Sequence, residues 1–263
     1  MADVERDRWG RYKLPNPDTG QAQSWTRCTT LAKTLDDMTG IHKAQMRDVV
    51  LGMGSREDLY RLAASMTADD KRELADIADK ARAAARADAK SHAGTAIHRV
   101  TERIDSGQPG RIPDVFGGEI GAYQRMLTEH KITMRHDRIE RITVTPEVEV
   151  AGTFDRIANK GNRDYIADLK TGNIERAWVS IAVQLAVYAH GRGMWNAERG
   201  VYDPMPDLDL NNAIVIHMPS ARPEGVEPYA TPYWLDIATG WEMAQVAYKI
   251  RGWRSRDTFA KLF

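Results

Sequence analysis

The chain has 263 residues, of which 42% are hydrophobic and 28% charged, and its 37 basic and 37 acidic residues leave no formal net charge. This composition excludes an intrinsically disordered chain and predicts a globular protein with a sizeable core. Cys28 is the single cysteine, which excludes an internal disulfide, a cysteine-rich zinc site and a Cys-ligated iron–sulfur cluster. Zero net charge counts mildly against nucleic-acid binding, although local basic patches are compatible with it.

The sequence carries no recognisable export or membrane signal. Its first ten residues, MADVERDRWG, are charged and lack the apolar centre of a secretory signal. It also contains no run of about 18 apolar residues that could span a membrane. We therefore expect a cytoplasmic protein that has no membrane partner.

The N-terminal part of the chain is predicted to be mainly helical. Residues 1–27 are polar and contain prolines, which is typical of an extended arm or a lead-in strand and turn. Helical spacing over 28–64 predicts two or three short helices, broken near Gly40 and at Gly52 to Gly54. A helix rich in Ala, Lys, Arg and Glu then follows over 67–107, either continuous or broken near Gly94.

The remainder of the chain mixes helical and strand patterns. Residues 114–130 have helical spacing, and RIERITVTPEVEVAGTFDRI alternates in the manner of two strands divided near Pro146. The later candidates are a strand at RDYIADLKT, a helix at IERAWVSIAVQLAVYAHGRG, a loop, two strands at NAIVIHM and PYATPYWLDI, and a closing helix over 240–254. This order predicts an α/β (α+β) fold with a mixed central sheet flanked by helices. We divide it into a helical N-terminal portion (1–90) and a core (91–263) within one continuous compact domain.

The segment AGTFDRIANKGNRDYIADLKTG, residues 151–172, predicts a β-hairpin with an unusual set of charges. Gly161 and Asn162 tolerate the positive φ that a tight hairpin turn requires. In the register that this turn sets, Asp155 lies opposite Asp168, and Lys170 is on the same face. Opposed carboxylates destabilise a sheet, and a divalent cation between them would reverse that effect. A solvated hairpin explains the same residues equally simply.

Four sequence elements follow one another in a recognisable order. GTAIHRV (94–100) precedes the hairpin, GTFD and IADLKTG lie within it, and VQLAVYAHG (183–191) comes after it. In this order they resemble the Gly-x-x-x-His helix, the core motif and the Gln-x-x-x-Tyr helix of the PD-(D/E)XK nucleases, in their RecB-like branch. The segment WTRCTTLAKTLDDMTG is similar to phage-encoded exonucleases of that group.

The resemblance implies a restriction-endonuclease-like fold and a metal site. It makes Asp155 and Asp168 metal ligands, with Asp168 at the D/E position of the motif, and makes Lys170 the catalytic lysine. It also implies that His98 and the backbone carbonyl of Leu169 complete the coordination of Mg²⁺ or Mn²⁺.

Two further candidate residues lie on the following helix. Gln184 and Tyr188 are one helical turn apart, and the resemblance implies that they position Lys170 or the DNA backbone. By themselves they also fit the polar edge of an amphipathic helix, just as His98 alone fits a packing histidine.

Three glutamates near the motifs have no assigned role. Glu147 and Glu149 precede Asp155, and a solvated strand face explains them. Glu102 shares a helix face with His98 and is a candidate neighbour of the metal ligands.

The resemblance implies a metal-dependent DNA exonuclease that hydrolyses linear double-stranded DNA in phage-type recombination or DNA processing. Its implied partners are a single-strand annealing protein and further copies of the chain in a ring. The chain has neither the cysteines for an iron–sulfur cluster nor a phosphate-binding loop for ATP. Two alternatives stay open: an endonuclease with the same site, and a non-catalytic DNA-binding or assembly protein.

Two basic segments are candidates for DNA contact. Arg82, Arg86 and Lys90 recur every four residues and form a stripe that could follow phosphates. A solvated helix face with ion pairs explains the stripe equally well. The C-terminal segment is basic and contains Trp253 and Phe259, which could stack on bases, pack internally or contact another copy.

Overall fold

The structure, a computed structural model, describes residues 4–85, 90–108, 110, 112–220 and 222–256, with only the backbone of residues 90–92. The described residues form nine strands and eight α-helices. The strands are β1 Tyr12–Pro15, β2 Ala22–Arg27, β3 Thr133–Thr145, β4 Val150–Lys160, β5 Arg163–Lys170, β6 Met194–Asn196, β7 Val201–Asp203, β8 Asn212–His217 and β9 Thr231–Asp236. The helices are α1 Cys28–Ala32, α2 Thr39–Ser55, α3 Glu57–Ala64, α4 Lys71–Ala85, α5 Lys90–Asp105, α6 Gly117–His130, α7 Trp178–Ala189 and α8 Ile237–Arg254.

The strands build one mixed sheet in the order β7-β6-β3-β4-β5-β8-β9. β5 and β8 are parallel, whereas the other neighbours along this path are antiparallel. β2 runs parallel to the beginning of β4 and pairs on its other side with β1. The predicted mixed sheet and its strands at β3, β4, β5, β8 and β9 are therefore confirmed.

Helices cover both faces of the central strands. Val215 of β8 packs into a core that contains α1, α7 and α8, whereas its neighbours Ile214 and Ile216 pack into a second core with α5 and α6. Successive strand residues point to opposite faces, so these two cores lie on opposite sides of the sheet. Burial on both sides accounts for the almost continuous apolar run of β8. The predicted arrangement of a sheet flanked by helices is confirmed.

The described chain divides into two compact units, residues 1–36 with 94–263, and residues 37–93. The smaller unit contains α2, α3 and α4 around the buried side chains of Leu59, Ile77 and Ala81. The predicted break near Gly40 is confirmed, because residues 36–38 are not helical and α2 begins at Thr39. The break predicted at Gly52 to Gly54 is wrong, because α2 continues through both glycines to Ser55. Gly52 is instead a contact residue: a Cβ there would lie 1.8 Å from the carbonyl oxygen of Ala81 in α4.

Two other predictions are corrected within the described residues. Gly94 does not break a helix but lies inside α5. The segment after α7, predicted as a loop, contains the short strands β6 and β7, and β6 extends the sheet by a single pairing between Thr143 and Met194. Strands of three residues give too short a pattern for detection from sequence. None of the described helices combines the length and apolarity that crossing a membrane would need.

Candidate active site

The β4–β5 hairpin has the predicted turn and register. Residues 161 and 162 at its turn have φ angles of 61° and 67°, the positive values that a tight hairpin turn requires. The last pair of the ladder joins Arg156 to Ala167, so the next pair in this register would be Asp155 and Asp168. The hairpin prediction is confirmed, and the two aspartates lie where the ladder ends.

Asp155 interacts with the strand opposite through its side chain. Its Oδ2 accepts a hydrogen bond from the backbone N–H of Leu169 at 3.2 Å. At the end of the β4–β5 ladder, the Asp155 side chain therefore accepts a backbone N–H from the opposite strand. Leu169 itself is buried in the sheet, and the predicted role of its carbonyl stays a prediction.

Asp168 is a deeply buried carboxyl whose counter-charge is Lys170. The side chain belongs to a residue only 1% exposed, and Lys170 Nζ lies 2.7 Å from Asp168 Oδ2, without the angles of a good hydrogen bond. Burial, and then the charge of Asp155, raise the pKa of Asp168 to about 7, although Lys170 acts in the opposite direction. Burial lowers the pKa of Lys170, but Asp168 and Asp155 outweigh it and the net shift is upward.

His98 comes to this pair from α5. Its Nδ1 lies 3.8 Å from Asp155 Oδ2. Burial lowers the pKa of His98 more strongly than Asp155 raises it. The imidazole is therefore predominantly neutral near pH 7, which is the form that ligates metal ions.

Gln184 and Tyr188 border the site from α7. Gln184 Nε2 donates a hydrogen bond to the Tyr188 hydroxyl at 3.2 Å, and the Tyr188 ring lies 6.4 Å from that of Phe154 in β4. Burial raises the pKa of Tyr188, and Cys28, Asp168 and Asp155 add to the shift. In the described part of the chain their side chains bond to each other and not to Lys170.

Glu140 is a site residue that the sequence did not reveal. It lies in β3 between two residues that pair with Arg156 and Phe154, which aligns it with Asp155 in β4. Its φ is 51°, unusual for any residue with a side chain. Burial, then Asp155 and then Glu102 raise the pKa of its carboxyl to about 8.

The position of Glu140 depends on an irregularity in the sheet. The β3–β4 register shifts between Met134 and Ile139, and such a bulge redirects the side chains beyond it. Alternation along RIERI gives no sign of this shift, and a positive φ at glutamate has no sequence signature.

The three glutamates without an assigned role have different surroundings. Burial raises the pKa of Glu102 in α5, with opposing effects from Arg156 and Asp155, so Glu102 lies within the electrostatic influence of the site. Glu147 forms an ion pair with Arg192 at 2.9 Å. Glu149, exposed between β3 and β4, has a φ of 52° and donates its N–H to the carbonyl of Pro146.

A buried arginine follows Asp155 directly in the chain. Arg156 Nη1 donates to the Tyr123 hydroxyl at 3.0 Å and lies 3.1 Å from Asp105 Oδ2. Its Nε and Nη2 have no hydrogen-bond partner among the described residues. The charge of Arg156 opposes the upward pKa shifts of Glu102, Glu140 and Asp168, and Lys170 does the same at Asp168.

The residues fit a divalent cation chemically. No three His, Cys, Asp or Glu side chains of the described chain are already gathered at the spacing of metal ligands. Burial, and then the charge of Asp155, nevertheless raise the pKa values of Asp168 and Glu140, so a bound cation would favour the ionised form of both carboxyls. Asp168 Oδ2 is also a buried oxygen without a hydrogen bond. Carboxylate oxygens are the donors that suit Mg²⁺ and Mn²⁺, and a neutral imidazole is a common ligand of transition metals.

The predicted basic stripe can be followed only in part. Arg82 lies in α4 and forms an ion pair with Asp79 at 3.3 Å. Arg86 lies outside the described residues, as does Phe259, and only the backbone of Lys90, at the beginning of α5, is described. A role of the stripe in DNA binding stays a prediction.

No protein-family model matches this chain, and no curated protein matches its sequence significantly.

Proposed function

We propose that this protein is a metal-dependent deoxyribonuclease with a restriction-endonuclease-like fold of the PD-(D/E)XK, RecB-like type. One observation carries the proposal. Asp155 and Asp168 lie at the end of a hairpin ladder, with the Lys170 ammonium 2.7 Å from Asp168 and the His98 imidazole 3.8 Å from Asp155. Two carboxylates and a neutral histidine can hold a metal ion that assists hydrolysis of a phosphodiester, and a lysine can stabilise the charge that develops on the phosphate.

Each residue has a chemical task in this proposal. Asp155 and Asp168 hold the cation, with His98 and the Leu169 carbonyl as further ligands. The bound Mg²⁺ or Mn²⁺ would polarise the phosphate and lower the pKa of a water nucleophile. Lys170, fixed by Asp168, stabilises the negative charge that develops on the phosphate.

Glu140 and the Gln184–Tyr188 pair complete the site. Glu140 supplies an additional acidic group on the strand next to Asp155. Gln184 donates a hydrogen bond to the Tyr188 hydroxyl, and the Tyr188 ring packs near Phe154, so that α7 contacts β4 through this pair. In this proposal Gln184 and Tyr188 contribute by fixing the position of β4, which Tyr188 contacts at Phe154 and Gly152.

Within this activity we favour an exonuclease acting on linear double-stranded DNA over an endonuclease. That preference comes from the sequence resemblance. A single-strand annealing partner, a ring of identical subunits and a location in the bacterial cytoplasm have the same basis and stay predictions.

The full-length protein should be incubated with one plasmid in two forms, linearised and covalently closed. With Mg²⁺ or Mn²⁺ we expect nucleotides to be released from the linear form only, and no release in EDTA. Because an exonuclease needs an end, the closed circle is the matched control for metal-dependent nicking. Cleavage of the circle would replace the exonuclease with an endonuclease, and inertness toward both forms with both metals would reject the nuclease proposal.

A further inference from the structure

The N-terminal arm borders a basic pocket that the proposed catalytic chemistry does not use. Its volume is about 320 Å³, and it lies in the larger compact unit. The residues that line it combine one tryptophan, three arginines and two threonines, namely Trp9, Arg11, Thr26, Arg27, Thr30 and Arg251.

The arm presents Trp9 on a well-formed turn. Asp7 Oδ1 accepts the backbone N–H groups of Trp9 and Arg11, both at 2.9 Å, and Asp7 Oδ2 accepts Arg11 Nε at 2.6 Å. An isolated bridge between Arg6 and Tyr12 closes the turn. These contacts give Asp7 and Arg11 a structural role in the turn. They involve only the backbone of Trp9, so they do not explain why a tryptophan occupies that position.

Trp9 is a large aromatic residue that is left 60% exposed. The guanidinium carbons of Arg8 and Arg11 lie 4.0 Å and 4.9 Å from the centre of its ring. The exposed indole and the neighbouring cations together match the two parts of a nucleotide, a flat base and a phosphate.

The positive charge of the pocket is only partly neutralised. Arg11 is paired with Asp7, whereas Arg27 and Arg251 form no ion pair with any carboxylate of the described chain. Two guanidinium groups are therefore available for an anion, and the hydroxyl groups of Thr26 and Thr30 can donate to it. A chain without net charge thus has a local cationic site.

The pocket is joined to the candidate active site by a single strand. Arg27 pairs with Ala151 at the beginning of β4, and Asp155 lies four residues further along the same strand. At roughly 3.3 Å per residue, this separates the two by about 13 Å along the strand. A nucleic-acid strand that leaves the site could reach the pocket within a few nucleotides.

We propose that this pocket binds single-stranded DNA, with Arg27 and Arg251 on phosphates and Trp9 stacked on a base. A base in a duplex is already stacked on both sides, so the exposed indole selects an unpaired strand. That the bound strand is a product of the nuclease reaction rests on the proposed function. Binding of single-stranded DNA to the pocket needs neither metal nor cleavage.

Binding should be measured with the full-length protein and fluorescein-labelled oligothymidine in EDTA. We expect Trp9→Ala to weaken binding by roughly 5- to 150-fold, the range found when a stacking aromatic is removed. Trp9→Phe retains a ring and should recover most of the affinity. Trp234→Ala is the matched control, because Trp234 is 53% exposed in β9 outside the pocket and its removal should leave binding unchanged.

An abasic oligonucleotide of the same length separates stacking from phosphate binding. Its affinity should be the same for wild type and for Trp9→Ala. Arg27→Ala with Arg251→Ala should reduce the slope of log affinity against log salt by about 0.7 for each phosphate that the protein no longer neutralises. The same double change at Arg61 and Arg72, both exposed in the smaller unit, is the charge-matched control.

Wild-type affinity of Trp9→Ala for oligothymidine, or an equal reduction in affinity for the abasic strand, would overturn the proposal. Because EDTA prevents hydrolysis, the two proposals fail separately. If the protein binds oligothymidine through Trp9 but does not cleave DNA, the binding pocket is supported and the nuclease proposal is rejected. If it cleaves DNA but its affinity for oligothymidine does not depend on Trp9, the nuclease proposal is supported and the pocket proposal is rejected.

Discussion

Glu140 combines two features that each destabilise the folded chain. A residue with a Cβ in the left-handed region costs about 1–2 kcal/mol. Burial and the neighbouring acids also raise the pKa of its carboxyl to about 8, so ionisation at that position is unfavourable. Strain of this kind persists at functional sites when the surrounding structure enforces it. The same residue is aligned with Asp155 on the β3 side of β4, which links the strain to the proposed metal site.

Glu140→Gly should raise the free energy of unfolding by about 1 kcal/mol in EDTA, because glycine adopts positive φ at little cost. The dependence of stability on pH should change as well. In the wild type, stability falls as pH rises from about 4.5 to about 8, since the folded carboxyl keeps its proton while the unfolded one has lost it. The variant should lack this contribution, as denaturant titrations at several pH values would reveal.

The matched control is Glu149→Gly, which has the same positive φ of 52° in an exposed turn. It should gain similar stability and keep full Mg²⁺-dependent nuclease activity, whereas Glu140→Gly should lose activity. Full nuclease activity in Glu140→Gly would show that Glu140 does not contribute to the proposed active site.

Secondary structure was predictable where local sequence decides it. Gly161 and Asn162 set the hairpin turn themselves, so the register of β4 and β5 followed from two residues. α2 was mispredicted for the opposite reason. Gly52 indicates a helix break when only the local sequence is considered. In the folded unit, however, Gly52 lies inside α2 and allows that helix to pack closely against Ala81 of α4.

Gly52→Ala should lower the free energy of unfolding by about 1–3 kcal/mol, because the new Cβ would meet the backbone oxygen of Ala81 and force α2 and α4 apart. Gly54→Ala in the same helix is the control. A Cβ at Gly54 has no atom within 4 Å, so its better helix propensity should add about 0.5 kcal/mol. Denaturant unfolding followed by circular dichroism measures both, and equal effects would contradict the packing role of Gly52.

The candidate active site is assembled from three segments that are separated in the chain, α5, the β4–β5 hairpin and α7. Their motifs could be ordered from the sequence because each is short and contiguous: His98, Asp155, the Asp168–Lys170 pair, and Gln184 with Tyr188. The sequence could not supply Glu140, which a bulge in β3 brings beside β4. It also could not group Trp9 with Arg27 and Arg251, because three separate segments meet at that pocket.

The most direct test of the proposed metal-dependent nuclease compares Asp168→Asn with Asp164→Asn on linear duplex DNA in Mg²⁺. Both aspartates are buried in β5, but Asp164 pairs with Arg135 at 2.8 Å and has no part in the proposed chemistry. We predict that Asp168→Asn lowers the rate of nucleotide release by about 100-fold or more, while Asp164→Asn, corrected for its folded fraction, stays close to wild type. A folded Asp168→Asn variant that hydrolyses DNA at the wild-type rate would contradict the account.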